Sequence, residues 1–417
     1  MKAVVFNFSV PRYLLGKALG GVTSAVTLGS ASGLRLEERP PPTLPGPDWV
    51  RLRVLASGVC GTDISTFTFH TSPLLEPFAS FPCVPGHEIL AEVVSPGGGA
   101  SSFQPGERVV VDPMISCQMR GYGGEDWCPS CREGFPGTCG NAGEEGPGSV
   151  GGEAMASGLT VGYHRQLAGG WGQEMVAHAS QLYRVPEALH EKRAVLVEPL
   201  SIGVHAVLRS MPDPRDEVLV IGSGPIAMAT IWSLRALGFS GTLVAQAKRK
   251  GEAELALALG ATQVIRPGEE ARQRIVDTGA QAYQPLVGPE VFAGGGFPLV
   301  FDCVGSSGSL DQCLRYTRPR GRVVLLGCAA QLRKLDLTFL WARELEVAGY
   351  LGYGREEWEG HSRHTMEITL ELLQRSPLPV ERMVTHLFPL VEFRDALRAA
   401  ANRRISGAMK VVLKPGL

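Results

Sequence analysis

Apolar and polar positions follow a different pattern in each of three parts of the chain. Up to about residue 190, short β-branched runs such as 49–54 (WVRLRV) and 108–111 (RVVV) are separated by stretches rich in glycine and proline. This pattern predicts short strands joined by long loops, as in a partly open β-barrel. Residues 1–6 also predict a strand. The alternative, a secretory signal, fits less well because the segment carries a single lysine as its positive charge.

Between about residues 200 and 347, apolar strands alternate with amphipathic helices. Strands are predicted at 218–221, 243–245, 299–302 and 323–326, and helices at 226–237 and 253–259. This alternation is typical of a parallel sheet covered by helices. The last part of the chain adds helices at 364–374 and 393–401 and a final strand at 410–413. The sequence therefore predicts an α/β protein.

Composition and charge narrow the classes of function. The chain has 417 residues, and 40 Lys+Arg against 41 Asp+Glu give it a net charge of -1. This balance argues against a protein that binds nucleic-acid backbone and against a polybasic membrane anchor. No run reaches the roughly 18 apolar residues of a membrane span. Residues 11–33 and 118–127 have the character of insertions, and the sequence leaves their role open.

A glycine-rich loop follows the strand at 218–221. It consists of Gly222, Ser223, Gly224, Pro225, Ile226 and Ala227. The pattern G-x-G-x-x-A between a strand and a helix is typical of dinucleotide binding, because its glycines permit a tight turn and a close approach to the pyrophosphate. The free N–H groups at the start of the helix then attract the phosphates. We expect a bound dinucleotide here rather than a plain turn.

The next strand ends without an acidic residue that would bind a ribose 2′-hydroxyl. Its continuation, 246–250 (QAKRK), is basic instead. Lys248 and Arg249 are suited to a 2′-phosphate, which predicts that NADP(H) is preferred over NAD(H). The alternative is a solvated basic turn.

Two further loops end parallel strands, where the ligands of such sheets bind. They contain Cys303, Val304 and Gly305 in the first loop and Leu326, Gly327 and Cys328 in the second. We expect both loops to border the nicotinamide, although ordinary strand–turn packing is the alternative.

Four of the nine cysteines form a cluster. Cys128, Cys131 and Cys139 have the spacing C-x2-C-x7-C, and Cys117 lies upstream with ten residues between it and Cys128. Four thiolates predict a closed, structural Zn²⁺ site, with unmetallated thiols as the alternative. The odd count and the clustering indicate metal in a reducing, cytoplasmic compartment rather than disulfides.

A second set of zinc-type ligands is spread along the chain: Cys60, His87, Glu88 and Glu198. A zinc site with an open position is catalytic. Sequence spacing alone does not bring these residues together.

In this order, the motifs CGTD (60–63), GHE (86–88), the cysteine cluster, VEPL (197–200) and the Gly222 loop resemble the zinc-dependent medium-chain alcohol/polyol dehydrogenases. The branch is similar to the sorbitol, threonine and glucose dehydrogenases, and the resemblance covers nearly the whole chain. It implies a GroES-like catalytic β-barrel domain at 1–199, a Rossmann domain at 200–347, and a return of 348–417 to the catalytic domain, with the active site between the two domains.

The resemblance also implies an activity and an assembly. The activity is hydride transfer between NADP(H) or NAD(H) and a secondary alcohol or polyol, or its ketone. It uses one catalytic and one structural Zn²⁺, and the assembly is a homodimer or homotetramer without membrane or nucleic-acid partners.

Roles are carried over from the resemblance residue by residue. Cys60, His87 and Glu88 match the catalytic zinc ligands, and Glu198 matches a glutamate that binds the metal directly or through water. Thr62 matches the hydroxyl that touches the substrate oxygen and starts a proton relay. Asp63 matches the carboxylate that orients the ligand histidine. Arg249 falls where NADP-using members carry an arginine.

The chain departs from the family at two places near the site. Ser65 stands where many relatives have a relay histidine, so Ser65, His70 and water stay open as the next proton carrier. Residues 67–84 match neither the sorbitol nor the threonine pattern, which leaves the substrate open. The phenylalanines of this segment, Phe67, Phe69, Phe78 and Phe81, suggest an apolar pocket wall.

Three other functions compete with this interpretation. One is a zinc-independent enoyl or quinone reductase of the same superfamily, which would not need Cys60, His87 and Glu88. Another is a zinc-ribbon nucleic-acid-binding protein. The acidic residues beside the cysteine cluster argue against this function. The third is a dehydrogenase fold without activity that serves as a scaffold.

Overall fold

The computed structural model describes residues 1–327, 331–332 and 334–416, which fall into two compact units. Unit 1 consists of Met1–Glu198, Glu357–Leu370 and the chain from Val384 on. Unit 2 consists of Pro199–Glu356 and Glu371–Met383. Every helix in the described ranges is too short or too polar to cross a lipid bilayer.

The strands are β1 (Lys2–Phe6), β2 (Leu34–Glu38), β3 (Trp49–Val59), β4 (Glu88–Pro96), β5 (Arg108–Val111), β6 (Gly146–Val150), β7 (Glu153–Met155), β8 (Glu174–His178), β9 (Leu182–Arg184), β10 (Glu217–Ile221), β11 (Thr242–Gln246), β12 (Gln263–Ile265), β13 (Ala280–Tyr283), β14 (Val291–Gly294), β15 (Phe297–Asp302), β16 (Thr317–Leu325), β17 (Glu346–Gly349), β18 (Arg355–Trp358), β19 (His361–His364), β20 (Val384–Pro389) and β21 (Lys410–Lys414).

The α-helices are α1 (Val10–Leu19), α2 (Gly61–Phe67), α3 (Pro129–Arg132), α4 (Glu191–Ala194), α5 (Val197–Arg209), α6 (Pro225–Ala236), α7 (Lys250–Ala258), α8 (Glu269–Val276), α9 (Ser307–Tyr316), α10 (Thr338–Ala342), α11 (Thr365–Arg375), α12 (Phe393–Ala401) and α13 (Arg403–Ser406).

The main sheet of unit 1 has the described strand order β20-β21-β3-β4-β5-β9, and β8 pairs with β3 as well. Strand β3 is the longest of them, and its alternating apolar positions Val50, Leu52 and Val54 are buried in the core. Since β3 pairs antiparallel with both β4 and β21, the residues at its carboxyl end are surrounded by the start of β4 and the start of β21. The site described below lies at this point.

The main sheet of unit 2 is parallel and has the described order β12-β11-β10-β15-β16-β17. Numbered along the chain within this sheet, the order is 3-2-1-4-5-6, which is the doubly wound order of dinucleotide-binding folds. The predicted α/β class with a parallel sheet is therefore confirmed. Ligands of such sheets bind beside the point where the strand order reverses, here between β10 and β15.

The insertion at 11–33 forms α1 and a short 3₁₀ helix, Ser24–Val26. It packs against the aromatic segment that follows α2, where the rings of Tyr13 and Phe69 lie 5.5 Å apart. Phe67 and Phe69 are buried in the core of unit 1, and the ring of Phe67 also contacts Phe6. The expectation that these two phenylalanines line an accessible pocket wall is wrong, because the β1 strand and the insertion cover them.

Candidate active site and cofactor loop

The carboxyl end of β3 leads directly into α2 and places the first ligand candidate. Cys60 is the N-cap residue of α2, and its backbone N–H donates to Asp63 Oδ2 at 2.8 Å. This capping contact fixes the turn and puts the Thr62 hydroxyl oxygen 3.6 Å from the sulfur of Cys60. Cys60 and Thr62 are half-buried, whereas Asp63 is fully buried.

The pairing of β3 with β4 brings the second and third candidates to the same place. Glu88 begins β4 opposite Gly58 of β3, and His87 precedes it. A Cβ atom on Gly58 would lie 1.8 Å from Glu88 Oε2, so only glycine leaves room for this carboxylate. Ligand atoms of Cys60, His87 and Glu88 lie within 4.8 Å of one another. Thiolate, imidazole and carboxylate in this proximity fit a Zn²⁺ ion.

Glu198 lies near this set but outside the group of donor atoms within 4.8 Å of one another in the described residues. It is buried in the first turn of α5. Its charge contributes to raising the pKa of His87 and of Lys410. The structure thus places Glu198 close enough to act on the site, and its role as a ligand stays a prediction.

Asp63 is held between His87 and a tyrosine that sequence reasoning missed. The phenol O–H of Tyr163 donates to Asp63 Oδ1 at 2.6 Å, and the same oxygen lies 3.6 Å from Nδ1 of His87, which is beyond hydrogen-bond length. Burial raises the pKa of Asp63, while His87, Tyr163 and the Cys60 N–H oppose the increase. Burial lowers the pKa of His87, but the charge of Asp63, helped by Cys60, outweighs it and raises this pKa well above its usual value.

Lys410 is the second residue that sequence reasoning missed. It begins β21, and its Nζ contacts both carboxylate oxygens of Glu88, at 2.5 and 2.7 Å. Burial lowers the pKa of Lys410, but the charge of Glu88 outweighs this effect and raises the pKa. Glu88 therefore neutralises a buried lysine as well as facing Cys60 and His87. No pattern in the sequence links two residues so far apart.

The cysteine cluster forms a separate, buried lobe. The sulfur atoms of Cys117, Cys128, Cys131 and Cys139 lie within 4.8 Å of one another. The Cys117 and Cys139 sulfurs are 3.6 Å apart, close to the roughly 3.8 Å that a tetrahedral site with Zn–S bonds of about 2.3 Å requires. Hydrogen bonding with Cys131 lowers the pKa of Cys139 to about 5. The donor set fits Zn²⁺, and Cys117 joins it despite the long gap in sequence.

The insertion at 118–127 adds a buried arginine to this lobe. Arg120 donates to the backbone carbonyls of Gly158, Ala156 and Glu144. Burial lowers the pKa of Arg120, and the charge of Cys139 opposes this effect. A cation beside four thiolates would offset the negative charge that remains if the lobe holds Zn²⁺. The insertion thus has a structural role that its composition did not reveal.

The predicted cofactor loops of unit 2 come together at the carboxyl ends of β10, β15 and β16. Gly222 has φ +125°, a conformation that favours glycine, and a Cβ atom there would lie 3.1 Å from the side chain of Val304. The Cys303 N–H donates to the carbonyl of Ile221 at 3.0 Å. A Cβ on Gly327 would lie 2.8 Å from the Val304 backbone. Cys328 lies outside the described residues.

Polar contacts shape the same loops. Asp302 Oδ1 accepts hydrogen bonds from the N–H groups of Val304 and Gly305, both at 3.0 Å. Leu326 donates its N–H to the Asp302 carbonyl at 2.9 Å. Gly224 is the N-cap residue of α6, so Pro225 and Ile226 form its first turn. The residues predicted from the loop motif therefore surround one helix N-terminus, which is suited to a pyrophosphate.

The basic turn after β11 is less open to a ligand than its sequence suggests. Lys248 is exposed, whereas Arg249 forms an ion pair with Glu252 in the first turn of α7. Glu252 also accepts a hydrogen bond from the Ser223 hydroxyl at 2.6 Å. A carboxylate from the helix therefore stands beside the glycine-rich loop, although the strand itself ends without one.

Comparison with known proteins agrees with this arrangement. The family model of the alcohol dehydrogenase GroES-like domain matches residues 46–187, and the model of the zinc-binding dehydrogenases matches residues 225–366. A sorbitol dehydrogenase of Arabidopsis thaliana is 29% identical over 371 residues, which cover 88% of this chain and 88% of the relative.

Solved structures share the fold over nearly the full length. An alcohol dehydrogenase of Escherichia coli CFT073, solved with NADH, has a TM-score of 0.72 at 22% identity and covers 99% of each chain. A protein of Sinorhizobium meliloti 1021 described as a zinc-binding dehydrogenase, solved with NADP, has a TM-score of 0.70 at 25% identity. The match covers 93% of this chain and 98% of that protein.

Proposed function

Because the chain belongs to the medium-chain zinc-dependent dehydrogenase superfamily, we propose that it oxidises a secondary alcohol or polyol, or reduces the corresponding ketone, at the set formed by Cys60, His87 and Glu88. The chain is an NAD(P)-dependent oxidoreductase of the sorbitol/polyol dehydrogenase-like group. The observation that carries the proposal is that Cys60 lies close to the neighbouring residues His87 and Glu88, which belong to a different segment of the chain. A zinc-independent enoyl or quinone reductase would not require these three zinc ligands.

Each residue of the set has a part in the reaction. Cys60 and His87, with Glu88 or Glu198, would hold Zn²⁺, which when bound polarises the substrate oxygen while the nicotinamide accepts or donates the hydride. The hydroxyl oxygen of Thr62 lies 3.6 Å from the Cys60 sulfur, so it would accept a hydrogen bond from the substrate alcohol and pass the released proton on to Ser65, His70 or water. Asp63 keeps the imidazole of His87 in place through its charge.

The second Zn²⁺ would have a structural role. The four cysteine thiolates of the lobe would fill a tetrahedral site and leave no open position for chemistry. We further propose that residues 1–199 and 348–417 form the catalytic domain and residues 200–347 the cofactor domain, whereas the two compact units divide the last part differently and place 348–356 and 371–383 in unit 2. The eight described cysteines are free thiols, which fits a reducing, cytoplasmic compartment.

For the cofactor, we propose NADP(H) in preference to NAD(H). The phosphates of the dinucleotide would lie at the N-terminus of α6, and Lys248 and Arg249 would take the 2′-phosphate. Relatives solved with NADH and with NADP show that related structures hold either form. The positive charge of Lys248 and Arg249 therefore supports a preference for NADP(H). The nearby carboxylate of Glu252 argues that NAD(H) is not excluded.

The test combines zinc content with turnover. Cys60→Ser and His87→Ala should each retain the zinc of the cysteine lobe, lose about one Zn²⁺ per chain, and lose oxidation of a polyol and secondary-alcohol panel followed by cofactor absorbance. His361→Ala is the matched control, because this histidine is exposed and outside the site. Full turnover in either site variant would refute zinc chemistry at Cys60 and His87.

A further inference from the structure

Of the two basic residues that are proposed to bind the 2′-phosphate, Arg249 already has an acidic partner within the protein. Arg249 forms an ion pair with Glu252 three residues later. The other carboxylate oxygen of Glu252, Oε2, accepts the hydrogen bond of the Ser223 hydroxyl at 2.6 Å. One carboxylate therefore connects the basic turn after β11 with the glycine-rich loop after β10.

The burial of these side chains shows that this is not an ordinary surface ion pair. The Glu252 side chain is 8% exposed, whereas that of Arg249 is 36% exposed. Glu252 lies in the first turn of α7, where the helix dipole favours a negative charge. It cannot move away without breaking contacts to two segments, so a bound cofactor meets this carboxylate in place.

We propose that Glu252 is the specificity-determining residue for the adenosine end of the cofactor, and that it lowers the affinity for a 2′-phosphate. The inference rests on the proposed function, because it requires that the dinucleotide binds at the Gly222 loop. A 2′-phosphate would have to compete with Glu252 for Arg249 and would be repelled by the carboxylate. A 2′-hydroxyl has neither penalty and donates a hydrogen bond to a carboxylate readily. Glu252 therefore makes NAD(H) a competitor of NADP(H), although β11 itself ends without an acid.

The test is cofactor binding to the intact zinc-loaded enzyme, measured for NADPH and NADH separately by fluorescence titration. Glu252→Gln removes the charge but keeps the size and can still accept the Ser223 hydrogen bond. We expect its Kd for NADPH to fall by about tenfold, the order of one relieved charge–charge repulsion near a protein surface. The Kd for NADH should rise or stay unchanged.

A matched control is available on the same helix. Glu254→Gln removes an equal charge, but the Glu254 side chain is 56% exposed and faces Lys250 at 3.9 Å. Its NADPH and NADH affinities should equal those of the wild type. An equal gain in NADPH affinity in both variants would mean that net charge alone is responsible, and it would overturn the assignment to Glu252.

Ser223→Ala is a second, milder variant that keeps the proposal testable if Glu252→Gln does not fold. It removes the Ser223 hydrogen bond to Glu252 and keeps the ion pair with Arg249, and we expect a smaller gain in NADPH affinity. Unchanged NADPH affinity in folded Glu252→Gln, or in Ser223→Ala when the first variant is unfolded, contradicts the proposal. Arg249→Gln tests the proposed NADP(H) preference separately from the role of Glu252. If Arg249→Gln leaves NADPH binding intact, the proposed NADP(H) preference fails. The effect of Glu252→Gln on the NADPH affinity still decides whether Glu252 determines specificity.

Discussion

Lys410 Nζ lies 2.5 and 2.7 Å from the two carboxylate oxygens of Glu88, and both side chains are almost completely inaccessible to solvent. The lysine begins β21 and the glutamate begins β4, and both strands pair with β3. Lys410 therefore lies directly beside the set formed by Cys60, His87 and Glu88. It also neutralises one of the negative charges that gather there.

Replacement of Lys410 by methionine should destabilise unit 1 strongly. The change leaves the Glu88 carboxylate buried without its cation, and breaking such a pair costs about 3–5 kcal/mol. We expect a matching loss in the free energy of unfolding, measured by urea denaturation after zinc has been removed, because a Zn²⁺ ion bound to Glu88 would replace the lost cation. Lys414→Met is the control: Lys414 pairs with Glu191 at a more exposed position, where an ion pair contributes about 1 kcal/mol or less. Equal losses in the two variants would show that the burial of the Glu88 pair is unimportant.

Tyr163→Phe should weaken the catalytic metal site without unfolding the protein. The variant loses the O–H that donates to Asp63, and hydrogen bonds to charged groups contribute about 1.5–3 kcal/mol. Loss of a partner behind a metal ligand typically lowers metal affinity about 10–100-fold. Competition with a chelator should show one Zn²⁺ per chain leaving more readily, and Tyr283→Phe, at an exposed site of unit 2, should behave as the wild type.

Arg120→Met should loosen the cysteine lobe. It removes the guanidinium donor from the carbonyls of Gly158, Glu144 and Ala156, at about 1–3 kcal/mol for each group that stays buried without a donor, and of these three Ala156 keeps its contact with His164. It also removes the cation beside the thiolates, so we expect zinc to leave the lobe faster in a thiolate-displacement assay. Arg132→Met is the control within the same lobe, because Arg132 is exposed and its guanidinium donates to the Glu125 carbonyl. Zinc release at the wild-type rate in Arg120→Met would contradict the charge role.

His164 should make the stability of unit 1 sensitive to acid. Burial lowers the pKa of His164 to about 4, and its Nδ1 accepts the backbone N–H groups of Gln166 and Leu167. An unfolded histidine has a pKa of about 6.5, so between pH 6.5 and 4 the unfolded chain binds a proton that the folded chain does not. The contribution of neutral His164 is complete above about pH 6.5 and is lost toward pH 4, by up to about 3 kcal/mol.

The difference in the free energy of unfolding between the wild type and His164→Gln isolates the titration of His164. Acid-induced zinc loss occurs in both proteins and cancels in this difference. The gap between their free energies of unfolding should shrink as the pH falls from 7 to about 4.5. A gap that is independent of pH would show that His164 titrates alike in the folded and unfolded chains.

If the chain forms the homodimer or homotetramer that the family resemblance implies, unit 2 offers a candidate contact surface. Within the described residues, β17 is the last strand of the parallel sheet, and Val347 on it is 41% exposed. Trp341 nearby in sequence is 83% exposed, and an uncovered strand edge with apolar side chains is prone to association. Val347→Lys together with Trp341→Asp should lower the mass measured by light scattering. An unchanged oligomer mass would place the contact elsewhere.

Local patterns in the sequence determined the elements and the chemistry that short segments carry. The strands β10, β15 and β16 and the loop at Gly222 follow from apolar runs with a glycine shortly after each, because backbone conformation and strand burial depend on nearby residues. The cysteine spacing likewise identified three thiolates that one short loop can bring together. These features needed no knowledge of distant contacts.

Contacts between distant segments were decided only by the tertiary structure. Tyr163 reaches Asp63, Lys410 reaches Glu88 and Glu252 reaches Ser223 because sheet register and helix placement set which side chains meet, and neither leaves a periodic signal in the sequence. For the same reason, the missing acid after β11 predicted a purely basic turn, whereas the fold supplies a carboxylate from α7. Residue types and spacing thus determined which functional groups the chain offers. The packing of distant segments determined which charged side chains lie next to those groups.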